Sequence, residues 1–230
     1  LVGHFHASYF ASALLIDEKK LTKDFESFFQ SPEWDEEAFL ELSDKYDCTK
    51  KSFVHRIAQI LPRNFGMNQL FYFRMNYQPD KDEFHFVKEI HLSELHTPHR
   101  TRFNESYCRK WITVSLLKEL AASDQQSMAG AQRSFFDSEG SEYLCFSLAY
   151  KVSLDSNLLE CVTVGFRVDE ALNEKVKFLE DPKIPHKKVS QTCHTCAFTD
   201  CTERVAPYEP TDRDLSSIID NWQASELNFT

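Results

Sequence analysis

The segment Thr192-Cys193-His194-Thr195-Cys196-Ala197-Phe198-Thr199-Asp200-Cys201 carries three cysteines with two and then four residues between them. A loop uses such spacing to turn several sulfurs onto one point. No other feature constrains the chain as much, because a soft metal or an iron-sulfur centre takes four thiolate-like ligands and the segment has three. The fourth must come from His194 or from elsewhere in the fold, where the remaining cysteines are Cys48, Cys108, Cys145 and Cys161. Seven cysteines, an odd number bunched unevenly, fit a reduced compartment with a metal site better than a secreted disulfide framework. Taken singly, Cys48, Cys145 and Cys161 read as small buried hydrophobes.

The rest of the chain supplies the body that such a loop would be tied to. A hydrophobic content of 42% with 20 Phe predicts a folded core. From His6 to Phe29, preceded by Phe5, apolar residues recur every three or four positions and predict one or two amphipathic helices stopped by Pro32. The pattern repeats over Trp34–Tyr46, and Thr49 is the expected N-cap of a helix over Lys50–Leu61 that Pro62 should end. This helix pair has the outline of a DNA-reading helix-turn-helix, but the acidic stretch Glu33 to Asp47 would repel phosphates, so packing helices are expected.

After Gly66 the period changes to two. Leu70–Tyr77 and Phe84–Lys88, joined by a polar turn at Pro79 to Asp82, predict a hairpin. Asn104–Ala121, with Tyr107, Cys108, Trp111, Ile112, Leu116, Leu117 and Leu120, predicts a long amphipathic helix. Strands follow around Ala131–Phe136, Tyr143–Val152 and Leu158–Val168, then a short helix at Glu170–Leu179, the cysteine loop, and a terminal helix over Asp212–Leu227. Hairpin, helix and meander form the element order of a PAS- or GAF-like sensor. The expected class is α+β: an N-terminal helical segment, then an antiparallel sheet with flanking helices and a cysteine metal loop. The expected domains are residues 1–65, a helical remnant; 66–210, the sensor domain with its loop; and 211–230, the C-terminal helix.

Cys108 is the preferred fourth ligand, since a cysteine on the predicted long helix is rigidly aimed, whereas His194 adjoins Cys193 and neighbouring residues in an extended loop point apart. A four-cysteine zinc site and a four-cysteine iron-sulfur cluster both satisfy Cys108, Cys193, Cys196 and Cys201. Arg74, Arg133 and Arg167, interleaved with aromatics on the predicted strands, are candidate holders of a carboxylate or phosphate ligand. The chain has no G-x-S-x-G, P-loop, G-x-G-x-x-G or HExxH motif and only 5 Gly, so no enzymatic reaction is expected. A formal charge of -10 opposes DNA binding by this segment itself. No apolar run approaches the ~18 residues of a membrane span and no secretory signal pattern occurs, so the expected compartment is cytoplasmic. The chain opens at Leu1 inside an apolar helix-like run, which is expected of a fragment whose N-terminal region is missing.

The run His6-Ala7-Ser8-Tyr9-Phe10-Ala11-Ser12-Ala13-Leu14-Leu15, the phrase Leu61-Pro62-Arg63-Asn64-Phe65-Gly66, the Cys108-x-x-Trp111 pair, and Cys193-x-x-Cys196 through Cys201-x-x-Arg204-x-Ala206-Pro207 resemble the C-terminal half of bacterial XRE-type transcriptional regulators with an ImmA/IrrE-like region. Within that group the cysteine pattern is similar to the short-chain fatty acyl and propionate regulators. The resemblance implies a GAF-like sensor domain that binds acyl-CoA or a related acidic effector and holds a [4Fe-4S] cluster on Cys108, Cys193, Cys196 and Cys201. It also implies a homodimer, with DNA contacted only through a helix-turn-helix that precedes Leu1. Two alternatives are a regulatory region of an ImmA/IrrE-type zinc metallopeptidase and a Zn2+-stapled interaction module.

Overall fold

The computed structural model of the chain describes residues 2–92, 106–137, 140–153 and 157–209. The fold is α+β, with a six-stranded mixed sheet and flanking helices. Four helices come first: α1 (Val2–Leu15), α2 (Glu18–Phe29), α3 (Glu36–Asp44) and α4 (Lys50–Phe65). Their starts are written locally, because Asp17, Asp35 and Thr49 each accept a hydrogen bond from a backbone N–H in the first turn of α2, α3 and α4. Pro62 does not end α4 as its chemistry suggests. The helix continues to Phe65 and stops at Gly66, whose φ of 75° is left-handed and whose N–H donates to the Pro62 carbonyl at 3.2 Å. Proline removes one hydrogen bond from the last turns, and burial of Leu61 and Phe65 outweighs that loss.

The hairpin forms as its alternation predicts, from β1 (Leu70–Gln78) and β2 (Glu83–Leu92), with a bulge in the pairing at Arg74/Met75. Helix α5 (Ile112–Ala121) leads to the meander β3 (Ser127–Phe136), β4 (Ser141–Lys151) and β5 (Leu159–Arg167). Strand β5 returns beside β1. The short α6 (Glu170–Lys175) and a 3-10 turn over Lys177–Glu180 occupy the region predicted as one helix. They precede β6 (His186–Val189), which pairs with β3 in parallel, so that the strand order is β2-β1-β5-β4-β3-β6. A four-residue strand of His-Lys-Lys-Val has too little apolar alternation to be read beforehand.

The chain divides into two compact units: Leu1–Thr97 with Lys110–Val189, and Pro98–Arg109 with Ser190–Thr230. In the first, period-two alternation gives each sheet face its own cover. Leu70, Tyr72, Leu144, Phe146, Leu148, Val162, Val164 and Phe166 share one hydrophobic cluster with Phe25, Phe29, Phe39, Phe53 and Leu61 of the helices and Phe178 beyond them. The helices of residues 1–65 and the sheet are therefore one packed body, and the division falls elsewhere than at residue 65. On the opposite face α5 lies over a polar strip in which the Thr163 hydroxyl meets both Thr113 and Ser147 at 2.7 Å. There Gly130 is tightly overlain by Ile112 and Leu116 of α5.

The helix expected over Asn104–Ala121 begins only at Ile112. Trp111 at its N-cap makes no side-chain cap bond, and the Cys108 N–H donates 3.0 Å to the Gln191 carbonyl. Pairing with a remote segment has taken a donor that a longer helix would have used. Cys108 is accordingly extended rather than helix-borne. The terminal helix expected over Asp212–Leu227 lies outside the described residues, as does domain 211–230. Among the described residues no helix is long and apolar enough to cross a membrane.

Candidate functional site

The second unit has its described residues at 106–109 and 190–209. A single antiparallel bridge joins Tyr107 to Thr192. It is closed on one side by Cys108 N–H donating to Gln191 O at 3.0 Å and on the other by Cys193 N–H donating to Ser106 O at 2.8 Å. Residues facing one another across an antiparallel pair share a side, and neighbours along each strand alternate. Tyr107 and Thr192 therefore stand on one side of this ribbon. Cys108 and Cys193 stand together on the other, as diagonal neighbours of the kind that lie about 7–8 Å apart. Two cysteines separated by most of the sheet domain in sequence are thus brought to one face of a two-stranded ribbon.

From Cys193 the chain turns at once. Cys196 N–H approaches Cys193 O at 3.5 Å, and Thr195 is held by its N–H on Thr192 Oγ1 at 3.4 Å. The turn has an internal anchor that sequence reasoning missed as a functional residue. Arg204 donates through Nη1 to Cys193 O at 2.6 Å and to Ala206 O at 3.2 Å, and through Nη2 to Cys196 O at 2.6 Å and Phe198 O at 2.9 Å. Its own N–H donates to Cys201 O at 3.2 Å. One planar guanidinium with five donors fits this task, and a lysine would not span it. The only sequence sign was its place three residues after Cys201, which says nothing about four carbonyls.

Cys108, Cys193 and Cys196 are buried, Cys201 is half-buried, and all seven cysteines are free thiols. Small buried thiols without disulfides are the donor set that a soft metal selects. The remaining cysteines are poor competitors. Cys145 and Cys161 are enclosed in β4 and β5, where burial pushes each thiol up to about 12 despite hydrogen bonds with Ser134 and Thr163 respectively. Burial also raises Cys48. A thiolate is the ligating form, and burial works against it at these three positions. The His194 Nδ1 accepts from Ser106 N–H at 3.3 Å, which engages that ring nitrogen with backbone. Among the described residues no three His, Cys, Asp or Glu side chains already converge as a metal site. Bound metal would have to draw the four sulfurs inward, as expected where metal binding and local folding are coupled.

The three candidate ligand-binding arginines are not brought together. Arg74 and Arg133 lie on the sheet face that carries the helices, on strands three positions apart and so about 14 Å across the sheet. Arg167, next to Phe166, lies on the opposite face. Each has an internal partner. Arg74 Nε is 3.4 Å from Glu160 Oε2, an ion pair without hydrogen-bond geometry. Arg133 forks onto Glu142 at 2.7 and 3.0 Å and reaches Glu180 at 2.6 Å. Arg167 donates to Gln69 Oε1 at 2.6 Å. Beside Arg74, the Tyr150 hydroxyl donates to the Glu160 carboxylate, and burial with that bond raises the tyrosine.

Comparison of the chain with protein-family models, with curated proteins and with solved structures found no match in any of the three.

Proposed function

We propose that this chain is a metal-holding sensor region of a bacterial transcriptional regulator, in which Cys108, Cys193, Cys196 and Cys201 bind a [4Fe-4S] cluster. One observation carries this reading. The Tyr107–Thr192 bridge brings Cys108 onto the ribbon face of Cys193 within a unit that also contains Cys196 and Cys201. Four cysteines from two remote stretches of sequence belong to that unit, while the other cysteines stay in or against the body of the sheet unit. When bound, the cluster supplies a redox-responsive cross-link. The chain's own part is to hold Cys108 and Cys193 extended, to turn the backbone at Cys196, and to keep three of the four sulfurs out of water.

The regulator half of the reading is supported by the motif resemblance and by the hairpin, helix and meander order that a PAS- or GAF-like domain would have. DNA binding belongs in this reading to a helix-turn-helix preceding Leu1, and control requires that effector or cluster favour one arrangement of the regulator over another. An acidic effector such as an acyl-CoA could use Arg74, Arg133 or Arg167 only by displacing Glu160, Glu142 with Glu180, or Gln69. Binding at Arg133 is thereby disfavoured most, since two carboxylates must be released.

The test is anaerobic purification followed by a visible absorption spectrum and iron, sulfide and zinc analysis. A brown protein whose colour and metal are lost in Cys196→Ser and kept in Cys48→Ser is the expected result. Equal metal content in the two variants overturns the ligand set. A colourless protein with one zinc per chain, lost in the same variant, identifies a structural staple in place of a redox sensor.

A further inference from the structure

We infer that Arg204 is the internal template of the cysteine loop, a positioning residue that presets the backbone from Cys193 to Ala206 before any metal arrives. The inference rests on the reading of Cys108, Cys193, Cys196 and Cys201 as ligands only where it concerns metal. The templating itself follows from the hydrogen bonds.

Four backbone carbonyls converge on one side chain: Cys193, Cys196 and Phe198 within the loop and Ala206 after it. Hydrogen bonds to a charged donor are stronger than neutral ones, and these four share a rigid planar fork. In a trans peptide the N–H points away from the C=O, and the described backbone contains no cis bond. Aiming the Cys193, Cys196 and Phe198 carbonyls at Arg204 therefore turns the N–H groups of His194, Ala197 and Thr199 away from it. None of the three donates a backbone hydrogen bond among the described residues. Pro207, which follows Ala206, has no N–H to place. The loop is thus partly sorted: the carbonyls of Cys193, Cys196 and Phe198 are taken by a fixed cation, and the N–H groups of His194, Ala197 and Thr199 are left for anionic sulfur. Hydrogen bonds to sulfur and nearby charge are the factors that tune a thiolate-bound centre.

Without metal the same sorting has a chemical signature, because Cys193 and Cys196 are each only 6% exposed and Arg204 holds the backbone carbonyl of each. On this inference, releasing the fork opens both thiols to solvent. The experiment is limited iodoacetamide alkylation of the reduced, metal-free protein, with rates read cysteine by cysteine by mass spectrometry, for wild type, Arg204→Lys and Arg204→Met. Cys193 and Cys196 should react about tenfold or more faster in both variants, since lysine keeps the charge and loses the fork. Cys145 and Cys161 should stay unreactive throughout, reporting that the sheet is folded. Unchanged rates at Cys193 and Cys196 in Arg204→Met overturn the template.

Zinc titration against a chelator then reads its consequence for ligation. Weaker binding by Arg204→Lys, with faster alkylation, supports a positioning role toward metal, and undiminished affinity removes that role. Wild type that takes up no metal while the alkylation contrast persists refutes the ligand assignment and leaves the template standing.

Discussion

The two units of this protein are held together by different physics. The larger is built around a continuous apolar cluster in which Phe25, Phe29, Phe39, Phe53, Phe146, Phe166 and Phe178 are buried with at most 1% of their surface exposed. Ring pairs such as Phe29–Phe178, Trp34–Phe146 and Phe39–Phe146 lie 6.3, 5.6 and 5.5 Å apart, within the range of aromatic packing. The smaller unit contributes none of its described residues to that cluster. Its described residues are organised by a β-bridge, a tight turn and a guanidinium. The contrast teaches that a segment outside the shared apolar cluster is shaped by directional hydrogen bonds that fix the backbone around its cysteines, whereas the sheet unit is shaped by non-directional burial.

The strongest way to break this contrast is to damage the aromatic core and watch the cysteine unit. Phe146→Ala removes a ring that touches Phe29, Trp34, Phe39, Phe166 and Phe178. It should lower unfolding stability by about 3–5 kcal/mol in urea titrations, with metal content per folded chain unchanged. Loss of metal in the still-folded variant would show that the units do not stand independently.

A smaller effect tests the electrostatics of the helical layer. Burial alone pushes the Asp24 carboxyl up, but hydrogen bonds from Lys45 at 2.7 Å and Tyr46 at 2.6 Å, with the Lys45 charge, outweigh it and hold the group below its ordinary range. A depressed carboxyl stabilises the fold above its unfolded pKa, and that stability is lost as pH falls through the folded value. Asp24→Asn should cost about 1–2 kcal/mol at neutral pH, and the difference from wild type should shrink as the solution is acidified. A difference that stays constant down the acid limb would remove this pair from the account.

The smallest effect belongs to the cysteine unit. Thr192→Val deletes the acceptor for Thr195 N–H and the 3.2 Å contact with the Thr195 hydroxyl. It should cost roughly 0.5–1 kcal/mol, visible as faster amide exchange at Thr195 and Cys196 and as no change in the thermal transition of the sheet. A shift of that transition instead would contradict the separation of the two units.

Periodicity and caps make most of the larger unit legible from sequence. The turn at Pro79 to Asp82, the alternation of Phe71, Phe73 and Met75 with Tyr72 and Arg74, and the Thr49 cap are all decided within a few residues. Pro62 misleads because its local cost is smaller than the burial of Leu61 and Phe65. Cys108 joins the loop cysteines for a reason other than the one its apolar spacing suggests: its segment is extended and pairs with Gln191 to Cys193, where the spacing predicts a helix. Spacing along one segment carries no information about a partner strand more than eighty residues away. The arginines illustrate the same limit, since alternation fixes which face of its own strand each one takes, while strand order fixes that Arg74 and Arg133 lie far apart and that Arg167 lies on the other side.

By itself, then, the sequence determined most element types of the larger unit, the strand faces and the concentration of thiols around Cys193, because these depend on local backbone preferences and on spacing of two or 3.6 residues. Tertiary structure alone decided that β5 returns beside β1, that Cys108 faces the same way as Cys193, and that Arg204 gathers the carbonyls of the loop. Those outcomes depend on which remote segment claims each backbone donor and acceptor, a competition settled only when the whole chain is packed.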